Sequence, residues 1–129
     1  PGGTGNNALI FDRNALSYGT SISHALNSAT FTINQPGVYA VAFNGGMAPG
    51  NGVTFPYNIS FTLELNGSSV AGASASHNFH TSTETVNIAF TSPVAVSSAP
   101  ATLRVIGSGS TYFYSDISLT IYRLGDIPT

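Results

Sequence analysis

The chain has 129 residues and no cysteine, is 42% hydrophobic and 6% charged, and carries a formal net charge of -2. That length serves one packed domain and is too short for two, while the lack of cysteine excludes a disulfide framework or a thiolate metal centre. With no lysine and only Arg13, Arg104 and Arg123 as cations, the chain lacks the basic footprint of a nucleic-acid partner, and no apolar run approaches the roughly 20 residues of a bilayer span, so no membrane insertion is expected.

Residues 1–7 open on Pro1-Gly2-Gly3-Thr4-Gly5, in which Gly2 and Gly5 stand three apart, as in the Gly-X-Y repeat of collagen. They read either as the end of a collagen-like stalk or as a flexible leader. Thr30 to Asn44 then gives a strand, a turn and a strand: Phe31 and Ile33 share a face, Pro36-Gly37 bends the chain, and Tyr39, Val41 and Phe43 alternate with Val38, Ala40 and Ala42. Both faces of the second run are apolar. Such a strand belongs in a sheet covered on both sides, with another subunit on the outer face.

Residues 44–56 hold four Gly, two Pro and the sole Met, and are expected to be a long surface loop, either a binding loop or a solvated connection. Tyr57 to Leu65 alternates without a break, with Tyr57, Ile59, Phe61, Leu63 and Leu65 on one face and Asn58, Ser60, Thr62 and Glu64 on the other. Asn66-Gly67 is the dipeptide most favoured for a type I′ hairpin turn. Further apolar faces come from Val86, Ile88 and Phe90, from Leu103 and Val105, and from Ile117, Leu119 and Ile121. Turns are expected at 49–52, 97–100 and 107–110. No helix-length amphipathic segment appears. About eight to ten strands imply an all-β antiparallel sandwich of two four- to five-stranded sheets in jelly-roll order, spanning 8–124 with a tail at 125–129.

Catalytic chemistry finds no foothold. Ser residues, His24, His77, His80, Asp12 and Asp116 follow no recognisable nucleophile-base-acid arrangement, and no G-x-S-x-G elbow occurs, so an enzyme is not expected and no cofactor is implied. His77-Asn78-Phe79-His80, with Glu84 downstream, is the one weak metal candidate; two imidazoles fall short of the ligand count zinc requires, and residues three apart in a strand point to opposite faces. Asn58-Ile59-Ser60 and Asn66-Gly67-Ser68 match the glycosylation sequon, but each also has a structural reading, as an outward strand residue and as a hairpin turn. Tyr112, Phe113 and Tyr114 are consecutive, so one face of their strand is core and the other is left for a partner.

The spacing of Phe31, Gly37, Tyr39, Val41 and Phe43 resembles the globular heads of complement-type collagenous proteins, relatives of the tumour necrosis factor fold, which usually carry Phe where this chain has Val41. Three segments look more like the C-terminal domain of bacterial collagen-like spore-surface glycoproteins, the BclA-like group: Tyr18 to Ser23 leading into Thr30 to Ile33, Leu63 to Gly67 with Val70 to Gly72, and Ser118 to Ile121. The resemblance runs from about Ala8 to Tyr122.

It implies a homotrimer of TNF-like jelly rolls in which inner-sheet residues meet around a threefold axis. On that basis Tyr39, Phe43, Phe61, Tyr112, Tyr114 and Tyr122 are interface candidates, the other reading being that they fill each sandwich's own core. The implied function is a trimerising head that nucleates and caps a collagen-like stalk of the same chain at the extracellular surface, in the exosporium. The alternatives are an adhesin, lectin-like or binding a host or matrix receptor, and a trimeric phage-fibre tip.

Overall fold

The computed structural model describes residues 2–5, 7–14 and 19–128. Pro1 and Tyr18, each part of a motif noted above, lie outside that set. The fold is the expected all-β sandwich, with nine strands among the described residues: β1 Gly2–Gly3, β2 Ile22–His24, β3 Phe31–Ile33, β4 Gly37–Pro49, β5 Tyr57–Leu65, β6 Ser68–Phe79, β7 Val86–Val96, β8 Ala101–Gly109 and β9 Tyr112–Gly125. They form a four-stranded sheet in the order β1-β9-β4-β7 and a five-stranded sheet in the order β2-β3-β8-β5-β6, with antiparallel pairing throughout. Strands distant in sequence lie side by side, as a jelly roll requires.

The core lies between the sheets and is supplied by alternate residues of each strand. Ile59, Phe61 and Leu63 of β5 meet Tyr39, Val41 and Phe43 of β4 across it, all fully buried. Aromatic pairs run through the layer: Phe11 edge-on to Phe31 at 5.1 Å, Phe43 against Phe90 at 5.3 Å and Phe61 edge-on to Tyr112 at 5.2 Å. Two turns show why particular residues are required. Asn66 and Gly67 both have positive φ, 51° and 83°, as a type I′ turn demands. Gly37 opens β4 at φ 154°, where a Cβ would stand 2.6 Å from Arg123 Nε and 2.7 Å from the Gly125 carbonyl, so only glycine lets β4 and the end of β9 approach there.

Three expectations are corrected. Residues 44–49 are not loop: β4 runs on to Pro49, paired with β7 as far as Met47–Val86 and with β9 as far as Pro49–Tyr112. Gly45 keeps its inward place in the alternation because its missing side chain makes room for Ile117, whose Cγ2 is 2.5 Å from where a Cβ would be, and Met47 is buried in the core. The true connection is 50–56. Likewise 107–109 is strand, with Gly107 facing inward beneath the Tyr112 ring, and the chain turns at Ser110-Thr111. Lastly, Gly2 and Gly3 pair with Phe113 and Tyr112, and Gly125 is still in β9, so the sandwich takes in residues that the expected 8–124 boundary leaves out.

Candidate association surface

The two sheets turn different outer faces to solvent. On the five-stranded sheet the outward side chains of β5 and β6 pair as Asn58–Asn78, Ser60–Ser76 and Thr62–Ser74, followed by Glu64, while Thr102, Arg104 and Ser108 project from β8. Apart from Ile106, opposite Thr62, these positions make a wet face of hydroxyls, amides and the Glu64 and Arg104 charges. On the four-stranded sheet the cross-strand rows, read from β7 through β4 to β9, are Pro93–Ala40–Tyr122, Thr91–Ala42–Thr120 and Ala89–Asn44–Ser118, with Val38 paired to Ala95 on one side and Gly125 on the other. No Lys, Arg or Glu occupies these rows. Asp116 sits exposed at the β9 bulge with φ 51°, and Asn44 Nδ2 donates to Ser118 Oγ at 3.1 Å, which marks a polar centre. Ala48 and Phe113 extend the apolar surface beyond it.

The main relief on this face is a groove of about 270 Å³ floored by Ala40 and Ala42 and walled by Tyr122, Thr91 and Pro93. Tyr122 is 56% exposed, and Leu124, the bulged residue between the Arg123–Tyr39 and Gly125–Val38 pairs, is 59% exposed. Small side chains along β4 leave the backbone shallow, so an incoming surface can approach closely, and the tyrosine offers apolar area with a polar tip. Small side chains, few charges and aromatic edges are the make-up of a buried interface core.

Of the six interface candidates, Tyr122 alone stands on this face. Tyr39, Phe43, Phe61, Tyr112 and Tyr114 are buried inside the protomer, which corrects their expected place at the surface: alternation sends every large β4 side chain inward and leaves the small ones outside. Tyr39 Oη donates to the Gln35 carbonyl at 2.5 Å. Tyr112 Oη has no hydrogen-bond partner among the described residues, and burial, with a smaller contribution from Tyr114, pushes its pKa up to about 12. Phe113, 45% exposed between two buried tyrosines, follows the expected strand alternation. Ala40 and Ala42 are the outer face expected of this strand, and Pro93, beside Ala40 on β7, is the addition that the structure makes. The signal for the two alanines is the apolar second face of Val38 to Ala42.

The titratable residues are dispersed, and several are engaged with partners of their own. Asp12 is held by Arg13 at 3.0 Å. His24 stacks on Phe31 at 3.9 Å, with Nδ1 2.7 Å from Asn14 Oδ1 and Nε2 2.8 Å from the Ser28 carbonyl. The 77–84 cluster is a braced turn: Glu84 Oε1 accepts the backbone N–H groups of His80 and Thr81 at 2.5 and 2.8 Å, and Oε2 meets His77 Nε2 at 3.1 Å. These contacts hold the Glu84 carboxyl below the usual carboxylate range, the His80 amide first among them. His77 and Glu84 are brought together, whereas His80 enters the cluster through its main chain. Among the described residues no three His, Cys, Asp or Glu side chains converge as a metal site.

No family model matches the sequence, and no curated protein matches it. Among solved structures, the globular domain of a zebrafish complement 1qA protein aligns with 98% of this chain and 97% of its own length at a TM-score of 0.59 and 10% identity. A family 35 carbohydrate binding module from an environmental isolate aligns with 98% and 95% coverage at 12% identity, but its TM-score of 0.38 supports no comparison of fold or binding. At 10% identity the first likeness is one of fold: the chain is a jelly-roll sandwich of the complement-head type.

Proposed function

We propose that this chain is a non-enzymatic head that self-associates as a homotrimer through the outer face of the β1-β9-β4-β7 sheet, and that it caps a collagen-like stalk of the same chain at an extracellular surface. The observation that carries the reading is the contrast between the two outer faces: one sets Ala40, Ala42, Pro93, Ala95, Tyr122 and Leu124 around a polar strip of Thr91, Thr120, Asn44 and Ser118, and the other is largely Ser, Thr and Asn with Ile106 and an opposed Glu64 and Arg104. The apolar part of that face gains by leaving water, at about 25 cal/mol per Å² of apolar area. A single face that closes a ring packs head to tail against a different patch of its neighbour, and closed cyclic symmetry limits the assembly. Three heads held this way keep three stalk ends at high effective concentration and in register, which favours triple-helix nucleation.

Placement on a bacterial exosporium is the finer form of the proposal. It is supported by the three segment resemblances and by the neutral Ser/Thr/Asn surface. The test is a pair of substitutions: Ala40→Glu, which puts a charge in the groove, and Ser76→Glu, which puts the same charge on the wet face. Dissociation by the first alone supports the reading, while equal masses for both variants and the parent would remove this face from the assembly.

A further inference from the structure

We propose that the cleft between Glu64 and Arg104 on the five-stranded sheet binds a neutral saccharide through a vicinal diol. Glu64 of β5 and Arg104 of β8 are direct cross-strand partners, a position at which opposite charges ordinarily close on each other. Here they do not. The ion pairs among the described residues are Arg13–Asp12, His77–Glu84 and Arg123–Asp126. Arg104 is drawn aside instead, its Nε donating to Thr30 Oγ1 at 2.8 Å. The result is a cleft of about 250 Å³ lined by Glu64, Asn66, Gly67, Thr102 and Arg104.

Two of its walls, Asn66 and Arg104, are held before any ligand arrives. Asn66 is clamped to β8 twice: its backbone N–H donates to the Thr102 carbonyl at 2.9 Å, and its Oδ1 accepts the Thr102 N–H at 2.9 Å. That leaves Asn66 Nδ2 as a donor at the edge of the cleft. The Thr30 contact likewise orients the Arg104 guanidinium and leaves its two terminal nitrogens as donors. Little side-chain entropy remains to be lost on binding.

The donor and acceptor inventory selects the ligand class. A carboxylate only accepts, while a guanidinium and a carboxamide nitrogen only donate. Adjacent hydroxyls satisfy both walls, since each gives its proton to Glu64 and takes a hydrogen bond from Arg104 or Asn66. The opposed unit charges favour a ligand without net charge, and a neutral diol meets both walls through hydrogen bonds alone. No aromatic ring lines the cleft, so recognition rests on hydrogen bonds to an open site and affinity falls on the order of millimolar. The cleft is on the opposite sheet from the proposed association face.

The experiment is a titration of the ¹⁵N-labelled whole chain with the methyl glycosides of glucose, galactose, mannose and N-acetylglucosamine, reading amide and side-chain shifts. The expected result is saturable shifts at the Asn66 side-chain amide, Thr102 and Arg104 with at least one glycoside, weakened about tenfold in Glu64→Gln, which loses a charge-assisted acceptor. Both charged side chains are on the outer surface, so Glu64→Gln and Arg104→Gln retain the fold, as an unchanged spectrum of core residues will show. No saturable shift with any of the four, or equal affinity in Glu64→Gln and Arg104→Gln, overturns the proposal. Because each glycoside is read against the same chain, the result is independent of whether the chain is a trimer.

Discussion

Replacing Tyr112 by Phe should make the protein more stable, and increasingly so in alkali. The ring is buried among Phe61, Gly107 and Tyr114, and the hydroxyl has no partner among the described residues. An unpaired buried hydroxyl costs about 1–3 kcal/mol of desolvation, and Phe keeps the ring contacts. The expected gain at neutral pH is about 1 kcal/mol, read as a rise in Tm of roughly 3–5 °C. The pH dependence follows from burial. In the folded state the phenol titrates at about 12, against an ordinary value of 10.0, so above the ordinary value the unfolded chain sheds a proton that the folded chain keeps. The folded state is then disfavoured as pH rises from about 10 towards 12, and the wild type should lose about 2 kcal/mol relative to Tyr112→Phe across that window. Urea unfolding of both proteins at a series of pH values measures it. A variant less stable than wild type at neutral pH would mean that the hydroxyl is satisfied, and parallel stability curves through the alkaline window would mean that it titrates as a solvated phenol.

Three further outcomes follow from the same packing and turns. Gly107→Ala places a methyl against the Tyr112 hydroxyl and should cost about 1–3 kcal/mol, part of it recovered in the Tyr112→Phe background, so that a double-mutant cycle gives a non-zero coupling energy. Asn66→Ala loses both the acceptor for the Thr102 N–H and a residue that tolerates positive φ; it should destabilise the fold by about 1–2 kcal/mol, and Asn66→Gly by less, in thermal melts. Glu84 braces the 80–84 turn as a carboxylate whose folded pKa lies below the ordinary value of 4.5. Its contribution is present above that value and lost as pH falls through the lower folded pKa, so the His80 and Thr81 amides should exchange faster in acid than their intrinsic rates account for, and Glu84→Gln should flatten that dependence.

The sandwich was legible because its signal is short-range. The unbroken alternation from Tyr57 to Leu65 is β5 residue for residue, and Asn66-Gly67 forms the turn its φ angles require. Glycine misled where its reason was space and not flexibility. Gly45 and Gly107 sit mid-strand because Ile117 and Tyr112 occupy their side-chain positions, and that requirement is set by residues more than seventy and just five positions away, which local composition does not separate. The candidate surface was half legible. The double apolar character of Val38 to Phe43 marks a strand with something to cover on each side, but alternation alone leaves open whether Tyr39 and Phe43 face a partner or the protomer's own core. Packing decides it: a core about 10 Å thick between two sheets takes Tyr39 and Phe43, which leaves Ala40 and Ala42 on the outer face. Which faces of two sheets end up inside is a question of topology, and the order β1-β9-β4-β7 rests on pairings far apart in sequence.

Self-association through the apolar sheet face is the central claim, and the solution mass tests it most directly. One chain weighs 13.3 kDa. Light scattering coupled to gel filtration, from micromolar down to nanomolar concentration, should return a single species of roughly 40 kDa, three chains in closed cyclic symmetry. A mass of one chain at micromolar concentration would contradict the account.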